Sequence, residues 1–224
     1  MQGDEKLKLN GWKNSDNYEY YNNISIETLR SFAIKGGFEN GCDIDLIYHL
    51  LQDTKTLLEV GAGYGRVVKK ILARGYQGKL YALERSPNFY HYLCENFINQ
   101  VDVIYDDIQI FQPNFTVDVI LMLWGFIFDF PKLEQLELLR RIKSWLSPGG
   151  YIVLDTMPYN EFPPTATFLN HQTYVFCEGG IILGYATSNQ EIDEYAQQLK
   201  IASVKHMPYI TAAKKERILH ILKV

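Results

Sequence analysis

The stretch 57-LLEVGAGYGR-66 decides the fold. Thr56 to Val60 is apolar enough to be a buried strand, and it runs straight into Gly61, Gly63 and Gly65 at alternate positions. Glycine at this spacing lets the backbone turn sharply and lets a ligand touch main-chain atoms. Arg66 to Arg74 then reads as a helix stopped by Gly75. A dinucleotide-binding turn is also glycine-rich, but its third glycine would fall at position 66, where Arg66 stands. Glu59, two residues before the first glycine, would repel a pyrophosphate by a few kcal/mol at roughly 4–6 Å. A cationic ligand would be attracted.

Outward from this turn, strands and helices alternate. Lys79–Glu84, Val101–Tyr105, Val117–Leu123 and Tyr151–Asp155 read as further strands, the fourth almost wholly apolar. Ser86-Pro87 opens a helix to about Asn99, and Pro131–Trp145 is a helix with Leu136, Leu139 and Ile142 on one face and a Glu137–Arg141 pair. Ser147-Pro148-Gly149-Gly150 reads as a turn. This rhythm specifies an α/β, doubly wound, mostly parallel sheet with helices on both faces. After residue 155 it breaks: Thr173–Phe176 and Ile181–Tyr185 form a hairpin, Asn189–Lys200 a helix, and Ile201–His206 and Arg217–Lys223 two closing strands. Ahead of the core, helices are expected at 25–35 and from Asp43 through Leu51, preceded by an Asn- and Tyr-rich arm of about 24 residues. The division expected is 1–52 for arm and cap helices and 53–224 for the main domain, in one structural unit.

Two further acids end strands. Glu84 is 19 residues past Gly65, where a carboxylate accepts from both ribose hydroxyls. Asp107, followed by Ile108, lies just past the third strand, where an acid accepts from an adenine amino group; Asp106 is the competing choice. S-adenosylmethionine fits this set. It has a sulfonium, an ammonium and one carboxylate, and no phosphate. Its carboxylate would meet the free N–H groups at the helix start, with Arg66 as a possible helper.

LLEVGAGYGR, Glu84 in 80-LYALE-84, Asp107 in 104-IYDDI-108, 117-VDVILMLWG-125 and 146-LSPGG-150 together resemble the class I S-adenosylmethionine-dependent methyltransferases, over about residues 54–155. The resemblance implies a seven-stranded sheet with an antiparallel closing strand, and S-adenosyl-L-methionine as cofactor. It assigns Glu59, Gly61, Gly63 and Gly65 to the first motif, Glu84 to the ribose, and Asp107 and Ile108 to adenine; Ala62, Arg66, Arg85 and Asp106 are further candidate cofactor-binding residues. Met122, Leu123 and Trp124 would line the methyl-transfer site, with Tyr21 of the arm as a cover. The Asn/Asp-Pro-Pro-aromatic motif of base-amino methyltransferases is absent after the fourth strand, as are the paired glutamates of arginine methyltransferases and an Asp-Asp-Asn metal cluster. The hairpin at about 172–186 resembles small-molecule amine or hydroxyl methyltransferases.

Composition agrees. The chain has 224 residues and a net charge of −4, which argues against a nucleic-acid partner. No apolar run is long enough to span a membrane, and three widely spaced cysteines fit a reducing cytoplasm. Tyr18, Tyr20 and Tyr21 are candidate lid residues, or surface rings packed on the helix at 25–35. Trp124 and Phe126 belong at the mouth of the fourth strand, and Asp155, Tyr159 and His171 are the candidate bases. His91 and Cys94 lack further ligands, so no metal is expected; the basic runs at 140–143 and 214–217 read as solvated faces. The function expected is methyl transfer to a small-molecule nitrogen or oxygen acceptor. The alternatives are a protein or RNA target, or a non-catalytic cofactor-binding module.

Overall fold

A computed structural model describes residues 11–178 and 180–224. Its main sheet has seven strands: β1 (Thr56–Val60), β2 (Lys79–Glu84), β3 (Asp102–Tyr105), β4 (Val117–Met122), β5 (Leu146–Thr156), β9 (Ser203–Ile210) and β10 (Glu216–Lys223). Their spatial order is β3-β2-β1-β4-β5-β10-β9. β1 to β5 pair in parallel, while β10 runs antiparallel to both β5 and β9. The strand order reverses beside β1, so the carboxyl ends of β1 and β4 diverge over a crevice. Open α/β sheets bind ligands at such a point.

The helices are α1 (Tyr18–Asn23), α2 (Ile26–Gly36), α3 (Cys42–Leu51), α4 (Arg66–Ala73), α5 (Pro87–Asn96), α6 (Lys132–Lys143) and α7 (Asn189–Gln198). Local chemistry sets several of their ends. Ser25 caps α2 by accepting from the Thr28 N–H, and Gly37 closes it at φ 77°. Pro87 opens α5. Ser188 and Glu191 form a capping box on α7. The central strands are apolar because both faces are covered: Leu57, Leu58, Val119, Ile120, Val153 and Leu154 are fully buried.

Five details depart from the sequence reading. The closing strand expected at Ile201–His206 lies at Ser203–Ile210 instead. β5 begins at Leu146, which pairs with Val117, so residues 147–150 lie within the strand at a register shift rather than in a turn. The hairpin gains a third strand, giving an antiparallel sheet of β6 (Ala166–Phe168), β7 (Thr173–Phe176) and β8 (Ile182–Tyr185). Glu137 pairs with Arg140, not Arg141, whose guanidinium donates to the Gln109 carbonyl. The run at 214–217 is no solvated face, since Arg217 is buried.

The arm from Trp12 onward is ordered and packed; its first ten residues lie outside the described ones. Trp12 joins Val175, Leu183 and Tyr185 in a small core. Asn17, also buried, donates from Nδ2 to the Leu183 carbonyl (2.8 Å) and accepts from the Leu183 N–H (2.8 Å). Its amide thus imitates a neighbouring strand on the open edge of β8. The arm crosses to the main sheet where Ser86 Oγ donates to the Tyr21 carbonyl and Asn88 to that of Asn22.

Candidate active site

A cavity of about 520 Å³ opens over the carboxyl ends of β1, β2 and β4, roofed by the arm, α2 and the small sheet. Its size suits a small organic ligand or two. One half is built on the glycine turn. Gly61, Gly63 and Gly65 have φ of 68°, 55° and 77°. A Cβ at Gly61 would lie 2.5 Å from the Phe126 ring, so a side chain there would both strain the backbone and invade the cavity. Ala62 completes this wall.

Glu59 lines the cavity with only 5% of its surface exposed, and its Oε2 has no hydrogen-bond partner among the described residues. Burial pushes its carboxyl up to about 8, against the opposing pull of the Arg66 charge. An unpartnered buried carboxylate on a cavity wall calls for a donor, and a cationic one would restore its ionisation. Glu84 is also buried and raised by burial, yet it is organised: Oε2 accepts from the Gly63 N–H and Oε1 from the Ser86 N–H, both at 2.7 Å. It therefore ties β2 to the glycine turn while keeping lone pairs for a ligand.

Arg66 is neither a surface residue nor free. It forms a buried bidentate pair with Asp43 at the start of α3 (3.0 and 2.7 Å), and stacks near Phe38 and Trp124. Asp43 and burial thus fix it as a charged wall. Arg85 stacks 3.6 Å from the Tyr18 ring centre. The two acids after β3 separate: Asp106 and Ile108 line the cavity, whereas the Asp107 carboxylate accepts from the Tyr18 hydroxyl and the Gln109 N–H and faces Arg85. Met122 is fully buried core, off the cavity wall, while Leu123 and Trp124 line it.

After β4 the chain reverses through two left-handed residues, Trp124 (φ 61°) and Gly125 (φ 75°). A bulky residue in that region is strained and must be held. The Gly125 N–H donates to Asp155 Oδ1 (2.7 Å), and Arg217 grips Oδ2 through Nε and Nη2 (2.9 and 2.5 Å). Asp155 is fully buried and off the cavity wall, so the structure makes it the anchor of this reversal rather than a base. Tyr159 is 61% exposed and stacks on Phe162 and Phe168; His171 is exposed at a turn of the small sheet. Neither lines the cavity.

The second half of the cavity is aromatic. Phe162 lies between Phe128 (ring centres 5.6 Å apart) and Tyr174 (4.8 Å), with Phe126, Phe130 and Phe176 nearby. Among these rings sits Asp129, which the sequence reading missed. Its Oδ2 accepts from the Tyr21 hydroxyl at 2.5 Å, and burial pushes its carboxyl up to about 7. The signal was present as a lone acid inside the apolar run 126-FIFDF-130, directly after the fourth strand. Arg217 was hidden by its basic neighbours. Lys35 and Lys215 also reach the cavity, each paired with a glutamate, Glu178 and Glu161 respectively. Among the described residues no cluster of metal ligands occurs, and no helix is long and apolar enough to cross a membrane.

A sequence profile described as "Methyltransferase domain" matches residues 43–220. The chain belongs to the methyltransferase-domain family. It is a class I enzyme that uses S-adenosylmethionine. No curated protein matches it in sequence. Solved structures share the fold of the methyltransferase at low identity. Magnesium protoporphyrin IX methyltransferase of Synechocystis PCC 6803, with bound SAM, is 13% identical at a TM-score of 0.68, covering 96% of this chain and 99% of that one. The 1,6-didemethyltoxoflavin-N1-methyltransferase of Burkholderia thailandensis is 15% identical at 0.67, covering 94% and 86%. The CcbJ methyltransferase of Streptomyces caelestis is 16% identical at 0.63, covering 95% and 96%. The seven-stranded sheet with its antiparallel closing strand is the fold that they share.

Proposed function

We propose that this methyltransferase acts on a small molecule, at nitrogen or oxygen, inside the aromatic half of its cavity. The observation that supports this most is enclosure: acceptor space is roofed by the arm and the small sheet, and ringed by Phe128, Phe162 and Tyr174. A polymer would have to pass a side chain or a flipped base beneath that roof. The small-molecule acceptors printed for the toxoflavin-precursor and protoporphyrin enzymes agree with that reading.

The residues fit the cofactor. Glu59 Oε2 would take the ammonium, the backbone of Gly61 to Gly63 would meet the amino-acid end, and Glu84 would take ribose hydroxyls with the lone pairs its backbone donors leave free. Asp106 and Ile108 border the adenine; Asp107 instead fastens the arm through Tyr18. Arg66 is committed to Asp43, so it shapes the wall behind Glu59. When bound, S-adenosylmethionine would supply an electrophilic methyl with the sulfur as leaving group. The chain's task is to orient the acceptor and exclude water. Its three unpaired cysteines suit work in the cytoplasm.

Titration calorimetry tests the cofactor half. S-adenosylmethionine should bind and NAD should not. Gly63→Val, at φ 55° and 3.3 Å from Leu29, should weaken binding about tenfold or more. Asp106→Ala should also weaken it, and unchanged affinity in both folded variants would place the cofactor elsewhere. Release of S-adenosylhomocysteine across a panel of small amines, phenols and alcohols tests the acceptor class. Turnover of a protein or RNA with no small-molecule turnover would overturn it.

A further inference from the structure

Resting on the small-molecule reading above, we infer that the acceptor presents an amine head group that is cationic at neutral pH, anchored and deprotonated at Asp129. Three observations meet here. First, Asp129 lines the cavity, and among the described residues it forms no salt bridge and its Oδ1 makes no hydrogen bond. Its Oδ2 is fixed by the Tyr21 hydroxyl, so the free oxygen has one direction in which to point. Second, the cations Lys215, Lys35 and Arg217 of this half already have acid partners, in Glu161, Glu178 and Asp155, so none of them is free for Asp129. Asp129 is left to be matched by a ligand. Third, the enclosing rings offer π faces, which attract a cation and give an anion nothing.

The groups facing Asp129 are Tyr20 and Tyr21 of α1, Arg85 after β2 and Tyr174 of β7. The tyrosines are all pushed upward by burial, so they stay protonated and neutral, and Arg85 is held by Asp107 and Tyr18. With its carboxyl near 7, Asp129 is ionised often enough to attract an ammonium, and it is a better proton acceptor than an ordinary carboxylate. In that step one N–H bond breaks and one O–H bond forms at Asp129 Oδ1. The nitrogen keeps the electron pair and becomes a neutral nucleophile, while the carboxylate becomes a neutral carboxyl. An alcohol would gain little from the same group, since its hydroxyl is far too weak an acid for a carboxylate of this strength.

Titration calorimetry on the S-adenosylhomocysteine-loaded protein tests this, with choline as the cationic probe and its neutral isostere 3,3-dimethyl-1-butanol as the control. Choline should bind at least about tenfold more tightly. Its affinity should rise roughly tenfold from pH 6 to pH 8, as the ionised fraction of Asp129 grows. Repeating the titration at pH 7 in two buffers of different ionisation heat should show about half a proton released per choline bound. Asp129→Asn should abolish the preference, the pH dependence and the proton release, with S-adenosylhomocysteine affinity retained as proof of folding. Equal binding of choline and the isostere to the loaded wild-type protein would overturn the inference, needing no variant. An undiminished preference in the folded Asp129→Asn protein would also overturn it. Failure of S-adenosylhomocysteine to bind at all would instead bring down the parent reading, and this one with it.

Discussion

Glu59 shows most sharply how one side chain selects a ligand. Read from sequence, it was a carboxylate too close to the glycine turn for a diphosphate; in the structure it is a buried carboxyl lacking a donor. The two readings agree because both follow from charge. Glu59→Gln keeps the shape and removes the charge, so it should weaken S-adenosylmethionine binding by about 10- to 100-fold, the range for losing a charge-assisted bond. Calorimetry on the folded variant would show it, and an unchanged affinity would mean that the cofactor's cation rests elsewhere. Gly65 has a different task. A Cβ there would run into the Phe97 ring and come within 2.9 Å of Leu93, besides straining φ at 77°. Gly65→Ala should therefore lower stability by about 1–3 kcal/mol in denaturant unfolding. The bases expected from sequence lie off the cavity wall for a common reason: distance along the chain to the last parallel strand says nothing about which way a side chain faces. Asp155 turned inward to Arg217, and Tyr159 and His171 turned to solvent or to the small sheet.

Among the elements, strands and helices from residue 56 to 143 were legible to within about three residues, α5 stopping at Asn96 and α6 at Lys143, since hydrophobic period, caps and glycine stops agree there. The strand β6 was not, being three residues long with no alternation to betray it. Nor was the packing of the arm, because nothing local marks Asn17 as a strand's substitute partner. That residue gives the element-scale expectation. Asn17→Ala strips the Leu183 N–H and carbonyl of their partners in a buried place, which should cost about 1–3 kcal/mol. Amide exchange should then speed up in α1 and β8 while β1 and β4 keep their protection. Uniform change across the main sheet would show that the arm is no separate unit.

For the molecule as a whole, pH links the cavity's carboxyls to stability. Glu59 has a folded value near 8 against an ordinary value of 4.5, so the folded state holds a proton that the unfolded chain has lost. Stability from this group is present below pH 4.5 and is lost as pH rises through 8, by roughly 1.4 kcal/mol per pH unit. Asp129 acts in the same direction up to about 7. His220, buried and hydrogen-bonded to Thr156, is depressed to about 3 and opposes them only below 6.5. The ligand-free protein should therefore lose several degrees of Tm between pH 6.5 and 8, and Glu59→Gln should flatten much of that slope. A flat wild-type curve would contradict the burial of these carboxyls. One last effect follows from how the arm is fastened, to β8 at one end and to Ser86 and Asn88 at the other. A roof stitched on two sides is expected to slow the departure of spent cofactor, so that exit, rather than bond-making, paces turnover. Pre-steady-state mixing should then reveal an initial burst, and loosening the stitching should quicken the later cycles while leaving that first burst unaltered.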